Sequence, residues 1–486
     1  MPKHDHDAIR PEANRIPSPR SLNRRQLVRR SAGAAAGLAA APVLLRYAGK
    51  SVAAQDDIPR AESSATVDGQ LFVLQDQDFH PDHNDFLRSE IEAYCEVNGW
   101  DLEITEVAGF QGGGDLNQLL VGSVQAGNAP DLLIKDHQAR QLHFLGVLEP
   151  TTDLVEEMVE TWGEASPGMS DAAFFDDEWW GVPFFSRIGG WYARRDVLEE
   201  AGIDFDTGVA TLEQRRDAAL AVSDPDGQQW GWGVTVNRSG DGRSMVSYTL
   251  WAHGSTLQDE TGELITFNTP ETIAGLEWLR ETYTAEEWAP MMPPGVNSWT
   301  DTSNNEAFLA GTLVFTSNAG TMYAKAVFDQ VPFADQIIYL PNPVRISDNA
   351  FLDSIGGTKF HVIKDTKNKE ATYDLIRHLM TEPVQQRIYD ISRAYAAPAY
   401  RNPWSWEVLQ TEDNSTRAEP VVWNEDRFTG LRWPGPSSAA VDAVGGGNYH
   451  TDMAAEVIQG KPADEVAAEY HERFVQIWKD FGLQGE

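Results

Sequence analysis

The chain has 486 residues, 41% hydrophobic and 23% charged, which is long enough for two or more domains of an ordinary globular protein. Its formal net charge of −36 excludes a surface suited to nucleic acids or anionic membranes. Cys95 is the only cysteine, which excludes an internal disulfide and any cysteine-based metal site, and its helical context predicts a buried structural thiol.

Residues 1–54 have the composition of an export signal. They contain ten Lys or Arg and three acids, then the apolar run "SAGAAAGLAAAPVLL" and small residues at 51–54 that suit a signal peptidase. "NRRQLVR", residues 23–29, is similar to the twin-arginine export motif, although Ser or Thr is more usual at the position of Asn23. An ordinary secretory signal is the alternative. We therefore expect export to the periplasm or the cell surface.

The segment that follows the signal is acidic and begins without periodicity. Removing residues 1–54 changes the formal net charge from −36 to −43, which would suit a saline medium. Residues 55–69 are polar and unpatterned, and they predict a flexible tether.

Strand and helix patterns alternate from Gln70 onward. "QLFVLQ" predicts a strand, "NDFLRSEIEAYCEVNG" a helix that ends at Gly99, and "WDLEITEV" a second strand. "GDLNQLLVGSVQAGNAP" then predicts a helix, and "DLLIKD" a third strand. Because strands and helices alternate in this way, they predict a parallel α/β sheet.

A second lobe is predicted to begin near Phe174. "EWWGVPFF" predicts a short hairpin, "GGWYARR" a strand and "DVLEEAG" a helix. Thr269 followed by Pro270 marks a strong helix start, and "NEAFLAGTLVFTS" predicts a helix that turns at Gly311 into a strand. The stretches that start at Asn368 and at Asp452 each predict two further helices.

Polar clusters follow the first and the third predicted strands. "DQDFHPDHND" after the first strand contains four aspartates and two histidines, and "KDH", residues 135–137, ends the third. Because ligands of open α/β sheets bind outside the carboxyl ends of the strands, we expect the two clusters to converge.

The histidines of the first cluster predict no metal site, and no cofactor is expected. His80 and His83 beside aspartates could bind zinc or iron, but we expect Pro81 to interrupt any helix that would place both imidazoles on one face. The sequence has neither a nucleophile elbow nor a phosphate-binding loop. Two carboxylates acting across a sugar-binding cleft, as in a glycosidase, stay an open alternative.

Tryptophan is abundant, at 16 residues, and many of them stand beside Gly, Pro, Ser or Asn in loop-like contexts. A flat indole can cover the apolar face of a sugar, while Asp, Asn, Gln, His and Arg bond its hydroxyls. More than half of these rings must pack in cores. The combination of loop tryptophans with the polar clusters nevertheless favours a carbohydrate pocket.

Several segments occur in an order known from one family. They are "APDLLIKDHQARQLHFLGVLEP", "WGVPFFSRIGGWYARRDVLEEAGID", "FNTPETIAGLEWL", "AFLAGTLVFTSNAG", "GGTKFHVIKDTKNKEATYDLIRHLMTEPVQQR" and "IQGKPADEVAAEYHERF". They resemble segments of the extracellular solute-binding proteins of ABC importers, of the sugar-binding type related to maltose-binding protein. Trp180 replaces the usual Tyr, and residues 193–195 depart from the usual Asn-Lys. The likeness extends from about Gln70 to Phe481.

The resemblance implies an α/β, two-lobed, periplasmic-binding-protein-like fold. Each lobe would be a mostly parallel sheet flanked by helices, with a hinge of two or three strands and a ligand cleft between the lobes. The implied segments are 70–182 and 314–378 for lobe 1, and 183–313 and 379–486 for lobe 2.

The implied function is capture of a carbohydrate by lobe closure and its delivery, chemically unchanged, to an ABC permease by a monomeric protein. The ligand-binding candidates are Gln77, Asp78, His80, Asp82, Asp136, His137, Arg187, Trp251, Trp299, Asn318, Thr321, Trp404 and Trp433. A secreted carbohydrate-active enzyme is one alternative. The same fold binding a polyamine or another cationic solute, attracted by the aspartates, is the other.

Overall fold

The computed structural model describes residues 58–108, 114–348, 350, 356–424 and 430–486. The predicted export signal and residues 55–57 lie outside these ranges. Within them, no helix is long and apolar enough to cross a bilayer.

Strands and helices alternate along the described chain. The strands are β1 Leu71–Gln77, β2 Leu102–Ala108, β3 Leu132–Lys135, β4 Phe174–Phe175, β5 Glu178–Trp179, β6 Val182–Arg187, β7 Gly189–Arg194, β8 Trp230–Trp232, β9 Leu313–Ala319, β10 Ile337–Leu340, β11 Gly357–Val362 and β12 Ala396–Pro398. The helices are α1 Pro81–Val97, α2 Gly114–Ala126, α3 Ala139–Leu145, α4 Thr152–Trp162, α5 Pro167–Ala173, α6 Arg195–Glu200, α7 Leu212–Ala221, α8 Gly240–Ala252, α9 Pro270–Thr284, α10 Ser303–Leu309, α11 Thr321–Phe328, α12 Lys369–Leu379, α13 Glu382–Ser392, α14 Glu407–Gln410, α15 Asp413–Val422, α16 Ala439–Gly445, α17 Tyr449–Ile458 and α18 Ala463–Asp480.

Lobe 1 is built on a sheet with the strand order β12-β6-β11-β3-β1-β2. β1 runs parallel to β2 and β3, whereas β11 is antiparallel to both β3 and β6. The carboxyl ends of β1, β3 and β6 therefore lie at the same edge of the sheet. The apolar side chains of β1 are buried because Leu71, Val73 and Leu74 pack under helices on both faces of the sheet.

Lobe 2 is built on a sheet with the order β10-β7-β9-β8, in which only the β8–β9 pair of the described strands is parallel. Its larger core packs one face of this sheet against α8, α9, α17 and α18. The chain passes between the lobes at Ile188, which links β6 to β7, and again between β10 and β11 and after β12.

The two-lobed α/β fold agrees with the sequence-based expectation, and three details differ. Both sheets are mixed rather than mostly parallel. β9 and β10, expected in lobe 1, belong to the lobe 2 sheet. β6, α13 and β12, expected in lobe 2, pack in lobe 1. A strand's apolar pattern reports that it is buried but not which neighbour it pairs with, so the assignment of strands to lobes needs the tertiary structure.

Residues 58–69, expected to be part of a flexible tether, lie against lobe 1. Ile58 is 5% exposed in its core, and Arg60 donates two hydrogen bonds to the Glu90 carboxylate, at 2.9 and 2.7 Å. The backbone N–H of Asp68 also donates to Asn368 at 2.8 Å. Cys95 is buried as predicted, and burial raises the pKa of its thiol to about 12, so it is chemically inert at neutral pH.

Candidate ligand-binding cleft

A cavity of about 670 Å³ lies between the two lobes. Its lobe 1 wall includes Asp78, Phe79, Lys135, Asp136, His137 and Arg187. Its lobe 2 wall includes Arg238, Asp241, Arg243, Tyr248, Asp301 and Asn318. The described lining contains the rings of Phe79 and Tyr248 but no tryptophan, and most of its residues carry a hydrogen-bonding side chain.

Buried ion pairs hold the lobe 1 wall together at the shared strand ends. The Asp76 carboxylate accepts from Lys135 Nζ at 2.6 Å and from Arg187 Nη2 at 2.6 Å. Arg187 also donates to Asp78 at 3.2 Å, and the Tyr395 hydroxyl donates to the same carboxylate. Burial by itself would lower the pKa of Arg187, but Asp78 and the neighbouring acids raise it well above its usual value. The guanidinium is therefore a fixed positive charge in the wall.

Asp136 is the most accessible carboxylate on this wall. Its side chain is 42% exposed, and its nearest cations are Lys359 Nζ at 3.6 Å and Arg187 Nη1 at 4.0 Å. Burial opposes ionisation, but Lys359, Arg187 and Lys135 together lower the pKa of Asp136 below its usual range. Asp136 therefore offers a charged acceptor with room for a ligand donor.

His137 presents a neutral imidazole beside Asp136. Burial, assisted by the positive charge of Lys135, lowers its pKa to about 4. Its Nε2 lies 2.6 Å from Asn117 Oδ1, and the Asn117 amide nitrogen donates to Gln141 at 2.8 Å. The amide oxygen must accept, so Nε2 carries the proton and Nδ1 is left as an acceptor.

On the lobe 2 wall, α8 points its N-terminus at the cavity. The Ser239 hydroxyl caps it by accepting from Gly242 N at 2.9 Å. The Asp301 carboxylate accepts from the backbone N–H groups of Gly240 and Asp241, at 2.9 and 2.8 Å. The free N–H groups of the first turn are thus satisfied by the protein, and Asp301 is held in place.

Asp241 is tied to lobe 2 by amide side chains. Its carboxyl accepts from Asn304 Nδ2 at 2.9 Å and from Asn318 Nδ2 at 3.3 Å. Asn318 also bonds Asn305. Burial and the charge of Asp301 raise the pKa of Asp241 well above its usual range. The network fixes Asn318 at the end of β9, facing the cavity.

Comparison with known proteins assigns the chain to a family. The family model of bacterial extracellular solute-binding proteins matches residues 91–402. This chain belongs to that family. An arabinooligosaccharide-binding protein from Halalkalibacterium halodurans is 23% identical over 302 residues, which span 61% of this solute-binding protein and 64% of the relative.

Solved structures share the fold of this solute-binding protein. A sugar transporter from Arthrobacter chlorophenolicus with bound laminaribiose matches with a TM-score of 0.68 and 13% identity, over 84% of this chain and 98% of that one. The maltotriose-binding protein of Thermus thermophilus with maltotriose matches with a TM-score of 0.65 and 15% identity, over 84% and 100% of the two chains. These similarities show the two-lobed fold, and the family's description places its members outside the cytoplasm.

Part of the predicted binding set of this solute-binding protein meets at the cavity. Of the predicted binding residues, those that line the cavity are Asp78, Asp136, His137, Arg187, Asn318 and Thr321. They come from both lobes and follow or end β1, β3, β6 and β9. Their position at strand ends accounts for their place in the cavity wall, and their part in ligand binding stays a prediction.

The other polar candidates do not line the cavity. Gln77 donates to Glu106 at 3.1 Å beside β2. His80 is fully buried with Nε2 3.0 Å from the Ile391 carbonyl, and Asp82 is 4% exposed. Pro81 begins α1 instead of interrupting it, because the first helical position tolerates proline. The described residues contain no group of three or more His, Cys, Asp or Glu side chains arranged for a metal ion.

The predicted tryptophans also lie away from the cavity. Trp251 is 7% exposed in the lobe 2 core, and Trp404 is 2% exposed with its Nε1 donating to Pro398 O at 3.1 Å. Trp299 is half-buried against the lobe 2 cores. The Arg345 guanidinium lies over the ring of Trp433, with its Cζ 4.7 Å from the ring centroid. Gly and Pro neighbours mark loops, but the large apolar area of an indole still favours burial.

The residues missed by the sequence analysis come from α8 and the segment before α10. They include Arg243, Tyr248, Asp241 and Asp301. The signal that could have found α8 is "SGDGRSMVSYTLWA", in which Ser239 is an N-cap and Asp241 an acid in the first turn. No sequence signal indicates that this helix would face a cavity.

Proposed function

We propose that this solute-binding protein is exported, captures a carbohydrate between its lobes and delivers it unchanged to an ABC permease. The observation that carries the proposal is the cavity between the lobes, with its dense polar lining on both walls. Asp136 and His137 supply acceptors from lobe 1, and Asn318 supplies an amide from lobe 2. A ligand with many hydroxyls satisfies such a surface.

Capture by closure is supported by contacts between the lobes outside the cavity. The Ser437 hydroxyl of lobe 2 donates to the Asp171 carboxylate on α5 of lobe 1, at 3.0 Å. The rings of Phe144 on α3 and Phe481 after α18 lie with centroids 4.9 Å apart. A ligand that touches both walls would favour this closed arrangement, since it binds the closed state better than the open one.

Release without chemical change is supported by the positions of the acids. Asp78 is engaged by Arg187 and Tyr395, and Asp301 by two backbone N–H groups. A glycosidase needs one carboxyl group as acid and another as base or nucleophile, both facing the substrate. Asp241 is likewise held by Asn304 and Asn318, and Asp136 is the one acid of the described cavity lining whose side chain is exposed, so we propose binding and no catalysis.

Calorimetric titration of the purified protein with neutral and acidic mono- and oligosaccharides tests the proposal. We expect saturable binding of at least one sugar, with a thermal shift that corresponds to about 2.7 kcal/mol at a ligand concentration 100 times Kd. Small-angle scattering should show a smaller radius of gyration with ligand than without it. Chromatography should recover the sugar intact. Cleavage products, or no binding by any sugar, would reject the proposal.

Delivery and export have their own tests. Cells that lack the protein should lose uptake of the labelled sugar identified by titration. Replacing both Arg24 and Arg25 by Lys should leave the precursor in the cytoplasm if the twin-arginine pathway exports it. Export of that variant at the normal level would favour an ordinary secretory signal.

A further inference from the structure

The acidic side chains around the cleft already have partners within the protein. Asp76 and Asp78 are bound by Lys135 and Arg187, and Asp301 caps the first turn of α8. Asp241 is held by Asn304 and Asn318. Asp136 is the least tightly held of these acids, since its nearest cation, Lys359 Nζ, lies 3.6 Å from its carboxylate.

Arg243 is a cation without such a partner. It lies one turn into α8 and lines the cavity, and within the described residues its guanidinium forms no hydrogen bond and no ion pair. Arg238, the residue before the N-cap Ser239, differs because it forms a bidentate pair with Asp452, at 2.6 and 3.0 Å. Asp301 and Asp136 influence Arg243 only at longer range.

The surroundings of Arg243 make its isolation costly. Burial lowers its pKa, although Asp301 and Asp136 oppose that shift. The adjacent His450 is 2% exposed and has no partner for Nδ1, and burial together with the charge of Arg243 lowers its pKa to about 4. His450 is therefore neutral at pH 7 and adds no second positive charge beside Arg243. A partly desolvated guanidinium gains most from an anion that arrives with the ligand.

We propose that the natural ligand is an acidic sugar, of the uronate type, whose carboxylate pairs with Arg243. This inference rests on the proposed function and specifies its substrate class. A planar guanidinium matches a carboxylate with two parallel N–H···O bonds, which a neutral hydroxymethyl group cannot form. The hydroxyls of the same sugar would meet Asp136, His137 and Asn318 across the cavity.

The net charge of the chain does not oppose this assignment at the site. The formal charge of −36 acts over the whole surface, and physiological salt screens exposed charges beyond about 8 Å. Inside the cavity, the binding of a carboxylate depends mainly on the nearest cation, Arg243. Asp136 and Asp301 lie within electrostatic range of Arg243 and disfavour a ligand with more than one negative charge nearby. The site therefore fits one carboxylate and not a polyphosphate.

Calorimetry with matched sugar pairs tests the inference. The probes are hexuronic acids and their di- and trisaccharides, each beside the neutral sugar that differs only in a hydroxymethyl group at the carboxylate position. We expect the wild-type protein to bind the acidic member of at least one pair tenfold or more tightly. In Arg243→Gln that preference should disappear, with affinity for the neutral member within threefold of wild type, and Arg243→Lys should restore part of it.

Arg280→Gln is the matched control, because Arg280 is 41% exposed on α9, pairs with Glu277 and does not line the cavity. It should keep the preference. Thermal unfolding distinguishes a binding role from a structural one. Arg243→Gln should unfold at the wild-type temperature or above, whereas loss of an arginine that stabilises the fold would lower the unfolding temperature. Tighter binding of neutral sugars by the wild type would overturn the inference and leave the proposed function intact. If no pair binds but another sugar does, only the inference is rejected; if no sugar of any kind binds, both are rejected.

Discussion

Replacing Arg187 by Met should destabilise lobe 1 while keeping the apolar part of the side chain. The Arg187 side chain is 16% exposed, and its guanidinium donates to Asp76 at 2.6 Å, Asp78 at 3.2 Å and Thr358 at 3.1 Å. Removing one partner of a buried ion pair costs about 3–5 kcal/mol, because the remaining charge stays desolvated. Asp76 keeps Lys135 and Asp78 keeps the Tyr395 hydroxyl, so we expect the lower end, about 3 kcal/mol.

Urea unfolding followed by tryptophan fluorescence measures this change in the free energy of unfolding. Arg195→Met is the matched control, since Arg195 pairs with Asp413, which is 61% exposed, and should cost less than about 1 kcal/mol. Adding Asp78→Asn to Arg187→Met should recover part of the loss, because the uncompensated carboxylate is removed. A cost for Arg187→Met no larger than that of the control, or no recovery in the double variant, would refute the account of the lobe 1 wall.

Three further outcomes follow from the same structure. Asp136→Asn should weaken the best sugar ligand by about 1.5–3 kcal/mol, or roughly 10- to 100-fold in Kd, without lowering the unfolding temperature, and calorimetry on the folded variant checks this. Trp404→Ala should cost about 3–5 kcal/mol of unfolding free energy and leave the sugar affinity of the folded protein unchanged, so a selective loss of affinity would contradict its placement in the core. Burial lowers the pKa of His83 and His361 to about 3, and that of His137 to about 4, from a usual 6.5, so the unfolded chain binds more protons below pH 6.5. The free energy of unfolding should therefore fall as the pH drops from 8 to 5, by about 2 kcal/mol for each histidine, and urea titrations at several pH values would show no such slope if these imidazoles were solvated.

Sequence reasoning identified the residues of the cavity wall that lie at strand ends. Asp78, Asp136 and Arg187 follow or end apolar runs, and the carboxyl ends of neighbouring strands share one edge of a sheet. For such residues the apolar run before them is enough to predict that they lie at the carboxyl edge of the sheet. The four tryptophan candidates had no comparable rule. A ring beside Gly or Pro can turn into the core, as Trp404 does, or lie under an arginine, as Trp433 does.

The lobe 2 wall depended on contacts that are distant in sequence. Asp301 reaches the α8 N-terminus across 60 residues of chain, and Asn318 reaches Asp241 across 77. Neither contact can be read from the periodicity of the sequence, because the chain between the two residues can adopt many paths. Arg243 stands out only once the described acids around the cavity are seen to pair with other groups or, like Asp136, to interact with it only at longer range.

The amino-acid sequence by itself determined the alternation of strands and helices, the buried thiol of Cys95 and the polar edge of lobe 1, since these follow from short-range spacing and apolar content. The tertiary structure decided which strands pair in each lobe, which rings are buried and which cation of the described cavity lining is left without a carboxylate. Those features depend on the competition among distant groups for the same partners, and that competition is resolved only when the two lobes are folded and face each other.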